Sequence, residues 1–282
     1  MQILEFVENI YNDWIEEQQK VRSKDYEHLK DKFSASSSGS CYKKNIFKVL
    51  GADSLPFKPR ANRILRAGTI QHEDLEKAVD LFIEDLNRGC EKLVKYKGID
   101  VEDIEIFQEE EIVIEKYNLA GHLDLAIFNK RKQHLYIIDY KTASTRNWSF
   151  LFGRKYKGTK TRFTYEMQLS TYAMGLVDKL EKKGMTVKTV DLYLLYIKKD
   201  ESYWREIQVE PNFINMSKEY WQEQNDLFNL VMASENDKIE ALNEIMPKDE
   251  MIGVPFEKWE CHSSDKFWQC QFLHLCKGSE NE

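Results

Sequence analysis

Gly121-His122-Leu123-Asp124, Leu135-Tyr136-Ile137-Ile138-Asp139-Tyr140-Lys141 and Gln168-Leu169-Ser170-Thr171-Tyr172 are the stretches that decide how this chain folds. The first opens an alternating run, Leu119 to Phe128, and the second is strongly apolar; both read as strands, joined by the polar turn Asn129-Lys130-Arg131-Lys132. Asp124 and Asp139 then stand on adjacent strands, which lie about 5 Å apart. A carboxylate inside Leu123-Asp124-Leu125-Ala126-Ile127 is costly unless it is paired or metallated. The period of a strand puts Asp139 and Lys141 on one face and Tyr140 on the other. Gln168 and Tyr172 are four apart and share a helical face.

These residue types suit the metal-assisted hydrolysis of a phosphodiester. That reaction needs hard oxygen ligands, an activated water and positive charge near the developing phosphate charge. Asp124 and Asp139 are the expected ligands, and Lys141 would orient or activate the water. Gln168 would position a phosphate or water, with Tyr172 next to it. The plainer alternatives stay open: a turn cap at Asp124, a buried ion pair of Asp139 with Lys141, and a helix-surface pair for Gln168 and Tyr172. His122 shares the strand face of Asp124 by period two. Glu109, Glu110 and Glu111 form an acidic group on the preceding strand, read mainly as a solvated edge.

Outward from this centre, Ile104, Ile106, Ile112 and Ile114 mark a strand within 103–117. Val187 to Lys198 and Tyr203 to Val209 form a hairpin. Tyr165 to Leu180 and Met216 to about Leu242 are helical. A charged amphipathic helix is expected over 3–30, a short helix from Tyr42 to Leu50, a loop at Pro56 and Pro59, and a helix from Gly68 towards Leu86. From Thr142 to Tyr165 there is no acidic residue, while Arg146, Arg154, Lys155, Lys157, Lys160 and Arg162 alternate with Trp148, Phe150, Phe152, Tyr156 and Phe163. In a chain of net charge -7 this reversal suits a loop that follows a phosphate backbone and stacks on bases. Lys58, Arg60, Arg63 and Arg66 extend the same basic character. The element order predicts an α/β fold with a mixed central sheet flanked by helices.

Taken together, His72, Asp124, the Asp139-x-Lys141 pair and Gln168-x-x-x-Tyr172 resemble the RecB-like branch of the PD-(D/E)XK nuclease superfamily. The order is similar in particular to the exonucleases of CRISPR adaptation, the Cas4-like group, and their phage relatives. The resemblance implies a restriction-endonuclease-like fold, with 1–33 an N-terminal helix and 34–282 the nuclease domain. It implies Mg2+ or Mn2+ held by His72, Asp124, Asp139 and the Tyr140 carbonyl, with Lys141, Asp124, Asp139, Gln168 and Tyr172 as the catalytic set. The expected activity is that of a DNA exonuclease acting on single strands or free ends. A structure-specific endonuclease, an RNase and a noncatalytic nucleic-acid-binding subunit are the alternatives.

Cys41, Cys90, Cys261, Cys270 and Cys276 are the chain's cysteines. One early and three late thiols resemble the set with which family members hold a [4Fe–4S] cluster. Cys41, Cys261, Cys270 and Cys276 would be its ligands, and the tail 245–282 would close onto the region of Cys41. A zinc site and unmetallated thiols are the alternatives. Cys90 is a spare thiol, and His262 a substitute ligand for Cys261.

The chain's 282 residues are enough for a large core. Hydrophobic residues at 42% and charged residues at 32% are ordinary for a globular protein. The pI of about 5.6 argues against a protein that coats nucleic acid nonspecifically, though not against a local basic track. No apolar run reaches the roughly 18 residues of a membrane span, and no leader is evident, so a cytoplasmic protein is expected. Resemblance adds recombination, replication or CRISPR-adaptation proteins as candidate partners.

Overall fold

A computed structural model describes residues 3–88, 95–96, 99–100, 103–153, 160–246 and 270–276. The chain divides into two compact units. One comprises residues 1–33, 40–70 and 223–282, the other residues 34–39 and 71–222.

The second unit is built on a mixed sheet. Its long strands are β1 (Ile104–Ile114), β2 (Leu119–Asn129), β3 (His134–Ala143), β4 (Thr189–Lys198) and β5 (Trp204–Val209). They lie side by side in chain order. β1–β2, β2–β3 and β4–β5 pair antiparallel, and β3–β4 pairs parallel. The parallel step needs a long crossover, here made by two helices, Thr145–Phe152 and Lys160–Lys182. Leu135, Ile137 and Leu194 of the sheet and Leu169, Leu176 and Leu180 of Lys160–Lys182 are fully buried, forming the core between sheet and helix.

Two glycines let that helix approach the strands closely. A Cβ placed on Gly175 would lie 2.1 Å from Cγ2 of Ile112 in β1. One on Gly121 would lie 2.8 Å from the Ala35 Cβ and 3.1 Å from the Tyr172 ring. The first residues of Asn212–Ala233 then cover Lys160–Lys182. The Trp221 indole N–H donates to Thr171 Oγ1 at 2.9 Å, and Ser217 Oγ donates to the Met167 carbonyl at 3.1 Å.

In the first unit, helices are α1 (Ile3–Asp25), α2 (Tyr42–Val49) and the start of α3 (Pro59–Asn87). After α4 (Thr145–Phe152), α5 (Lys160–Lys182) and α6 (Asn212–Ala233) comes α7 (Lys238–Ile245), again in the first unit. Phe47 of α2, fully buried, stacks on Phe272 with ring centroids 5.7 Å apart. The Leu55 N–H donates to the Gln271 carbonyl at 3.0 Å. The residues 270–276 are thereby held beside α2, which Cys41 precedes as the N-cap residue.

Several sequence expectations are corrected. α3 starts at Pro59, not after Gly68, because proline at the first helical position loses no hydrogen bond and presets φ. The N-terminal helix stops at Asp25. The expected helix from Met216 to Leu242 is two helices, broken where the Asp237 carboxylate caps α7 by accepting from the Ile239 and Glu240 N–H groups at 3.0 and 3.1 Å. The basic stretch after Thr142 is not a loop at its start. Ser144 caps α4, its hydroxyl accepting from the Asn147 N–H at 3.3 Å. Arg154, Lys155, Tyr156 and Lys157 lie outside the described residues. Among the described residues no helix is long and apolar enough to cross a membrane.

Candidate active site

The site lies within the second unit, where β2 and β3 part. Their ladder runs from Asn129↔His134 to Leu125↔Ile138 and records no pair for Asp124 with Asp139. The released Tyr140 N–H donates instead to Asp124 Oδ2 at 2.6 Å. Opposite, the β1–β2 pairing skips Glu109 across from Asp124, and Glu109 adopts φ 45°. The interruption opens room for acidic side chains between strands that would otherwise close by backbone hydrogen bonds.

Asp139 and Lys141 share a face, as strand alternation requires. The Asp139 side chain is 1% exposed, and the Lys141 ammonium stands 2.6 Å from its Oδ2. Apart from that ion pair, this buried oxygen accepts no hydrogen bond. Gln168 of α5 ties the pair together. Its Oε1 accepts from Lys141 Nζ at 3.2 Å, and its Nε2 faces Asp139 Oδ1 at 3.3 Å and the Tyr172 hydroxyl at 3.1 Å. His72 of α3 reaches Asp124 from the other side, with Nδ1 3.8 Å from Oδ2 and its ring edge-on to Tyr140 at 6.0 Å. Thus His72, Asp124, Asp139, Lys141, Gln168 and Tyr172 come together, with the Tyr140 backbone between the two aspartates.

The charges show what each group is set to do. Burial pushes the Asp139 carboxyl up to about 7; the Lys141 ammonium opposes that shift, and the Asp124 carboxylate reinforces it. For Lys141, burial works downward, but Asp139 and then Asp124 hold its pKa above the ordinary value. Lys141 is therefore a cation at neutral pH. Burial raises the Tyr172 hydroxyl far above the phenol range, which leaves it a neutral hydrogen-bonding group.

The donor set of carboxylate oxygens, an imidazole and a backbone carbonyl suits a hard divalent cation. The buried Oδ2 of Asp139 is paired with Lys141 and keeps a lone pair for such an ion. Among the described residues, no three His, Cys, Asp or Glu side chains are already arranged to hold an ion.

Some expected members stand apart. A Cβ on Gly121 would face α5, so alternation turns His122 away from that helix. His122 Nε2 lies 3.6 Å from Glu111 Oε2, its cross-strand neighbour. Glu110 pairs with Lys179. In the first unit, Arg63 pairs with Glu8 at 3.5 Å and donates to Asn12 at 2.7 Å, and Arg66 lies over the Trp14 ring. Cys41, Cys270 and Cys276 stand in no disulfide, and among the described residues they are not part of a group of three His, Cys, Asp or Glu side chains that could hold a metal ion. Cys90, Cys261 and His262 lie outside the described residues.

Sequence reading missed Tyr165. Lys141 Nζ sits 4.4 Å from its ring centroid, a cation–π contact that fixes the ammonium. Its signal was present: Tyr165 is three residues before Gln168, hence on the same helical face. It also missed Tyr196, which stands beside Lys141 in the β3–β4 register.

A family model described as the PD-(D/E)XK nuclease superfamily matches residues 47–277. Among solved structures, one described as "Crystal structure of SSO0001" is similar at 16% identity with a TM-score of 0.37, over 98% of this chain and 97% of that one. No curated protein matches.

Proposed function

This chain belongs to the PD-(D/E)XK nuclease superfamily, and from that premise we propose that it is a divalent-metal-dependent DNA exonuclease acting on single strands or free ends. The observation that carries the proposal is the closed set formed by buried Asp139, cationic Lys141 and the Gln168 amide, beside Asp124 at the strand fork. Such a set concentrates negative ligands and one fixed positive charge where a phosphate can approach.

Asp124, Asp139, His72 and the Tyr140 carbonyl would hold Mg2+ or Mn2+. Because Tyr140 directs its N–H to Asp124, its carbonyl, on the same side of an extended strand, is directed to the same gap. When bound, the ion supplies Lewis-acid polarisation of a phosphoryl oxygen. Lys141 offers its ammonium to the charge that develops on the phosphate as water attacks, a stabilisation typically worth about 100- to 1,000-fold in rate. Its raised pKa favours this role over that of a general base. Gln168, Tyr172 and Tyr165 act as positioning residues, holding Lys141 and Asp139 in one geometry. Arg146, over the ring of half-exposed Phe150 on α4, offers a backbone contact and a stacking surface for a single strand.

The same reading takes in a [4Fe–4S] cluster on Cys41, Cys261, Cys270 and Cys276, and a RecB-like or Cas4-like, phage-related origin with cytoplasmic recombination, replication or CRISPR-adaptation partners. Support for the cluster is the cysteine complement together with the packing of Phe272 on Phe47.

The test is digestion of end-labelled linear single-stranded DNA, beside closed circular DNA, with Mg2+ or Mn2+. Wild-type protein should degrade the linear strand progressively and spare circles, and Lys141→Ala should lose activity. Cleavage of circles would indicate an endonuclease. Absence of metal-dependent cleavage of either would overturn the catalytic reading in favour of a binding subunit.

A further inference from the structure

Tyr196 is 2% exposed, and its hydroxyl is buried without a hydrogen-bond partner. A buried hydroxyl is costly without a partner, and the cavity it borders can admit one from outside the chain. Tyr196 lines a cavity of about 60 Å³ together with Thr142, Asn147, Phe150 and Tyr165. This volume lies beside the reactive centre. Tyr196 is the register neighbour of Lys141 on β4, and the Tyr165 ring that walls it is the one carrying the Lys141 ammonium. Phe150, 52% exposed, brings the cavity wall to the surface.

We propose that this cavity receives the base of the nucleotide next to the cleaved phosphate; the inference rests on the nuclease reading of the adjoining site. At roughly 10–15 Å³ per water, the space takes about four to six waters, enough for one planar base. Flat aromatic walls at Phe150 and Tyr165 suit stacking. The Tyr196 hydroxyl donates to a base oxygen or ring nitrogen, and the Asn147 amide and Thr142 hydroxyl offer both donor and acceptor groups. Lys141 then meets the phosphate while the base is held one rung away. Tyr196 is thus a specificity residue of the same site.

The test compares wild-type, Tyr196→Phe and Asn147→Ala full-length protein, with Mn2+, on oligothymidylate and on oligothymidylate carrying abasic residues at both ends. Tyr196→Phe removes only an unpartnered hydroxyl, so its melting temperature should equal or exceed that of the wild type. Its kcat/KM on thymidylate should fall about 3- to 10-fold, the worth of one hydrogen bond, chiefly through KM. On abasic ends the variant and wild type should be equal. Asn147→Ala, at an exposed position, should act in the same direction. Undiminished thymidylate cleavage by Tyr196→Phe, or an equal loss on abasic ends, would overturn the base pocket. If wild-type protein cleaves neither oligonucleotide, the nuclease reading fails. Fluorescence anisotropy of the same oligonucleotides in EDTA then decides the pocket: weaker thymidylate binding by Tyr196→Phe supports it, and equal binding refutes it.

Discussion

The Asp139 carboxyl is almost fully buried, and burial keeps its proton on up to about pH 7 despite the ammonium beside it. Its folded pKa lies above that of an exposed aspartate, about 3.9. Between those values the native state binds more protons than the unfolded chain, so this group's contribution to stability is lost as pH rises through the window. Thermal melts in EDTA should therefore show stability falling from pH 4 to about 7, and Asp139→Asn should flatten the curve. Metal ligation needs the ionised carboxylate, so the Mn2+ concentration that gives half-maximal cleavage should fall as pH rises towards 7. A Mn2+ requirement that stays constant across that range would contradict the assignment of Asp139 as a ligand. At this scale the sequence was informative where side chains are related by local period. Asp139 with Lys141 follows strand alternation, and Gln168 with Tyr172 follows the helical turn. Tyr196 joins Lys141 only through a parallel register set by a long crossover, which local spacing does not encode.

α5 is the element that assembles the site, and its glycine at 175 sets how closely it lies on β1. Gly→Ala in a helix normally gains up to about 1 kcal/mol in propensity. Here the added methyl meets buried Ile112 at 2.1 Å, and overpacking typically costs about 1–3 kcal/mol. Overpacking wins, so Gly175→Ala should destabilise in denaturant unfolding. Ile112→Ala should remove most of that penalty, which the double-mutant cycle will show as coupling. Gly121→Ala should act similarly and, by pushing on the Tyr172 ring, lower activity as well. The elements themselves were largely legible, since strand composition fixed β1 to β5 within a few residues. α4 was not, because basic and aromatic composition masked a helix whose one clear signal was the Ser144 cap. The start of α3 was misread because a proline marks a helix beginning as readily as a loop.

At the scale of the whole molecule, the candidate active site lies in the unit of residues 34–39 and 71–222, and the described cysteines lie in the other. The two chemistries can therefore be separated by experiment. Protein purified without oxygen should carry iron and the broad visible absorbance of a [4Fe–4S] cluster, and Cys270→Ser should lose both. Zinc in place of iron, or no metal at all, would remove the cluster from the account while leaving the nuclease site intact. The cysteine pattern was legible as composition, but thiol geometry depends on tertiary packing, which spacing along the chain does not give. The most direct test of the central claim is the Mn2+-dependent rate on end-labelled single-stranded DNA for Asp124→Asn against wild type. The asparagine oxygen can still accept the Tyr140 N–H, so the fold and melting temperature should persist. The account predicts a rate lower by on the order of 100-fold or more, as for lost electrostatic stabilisation of a transition state. A folded Asp124→Asn protein that cleaves at the wild-type rate would contradict it.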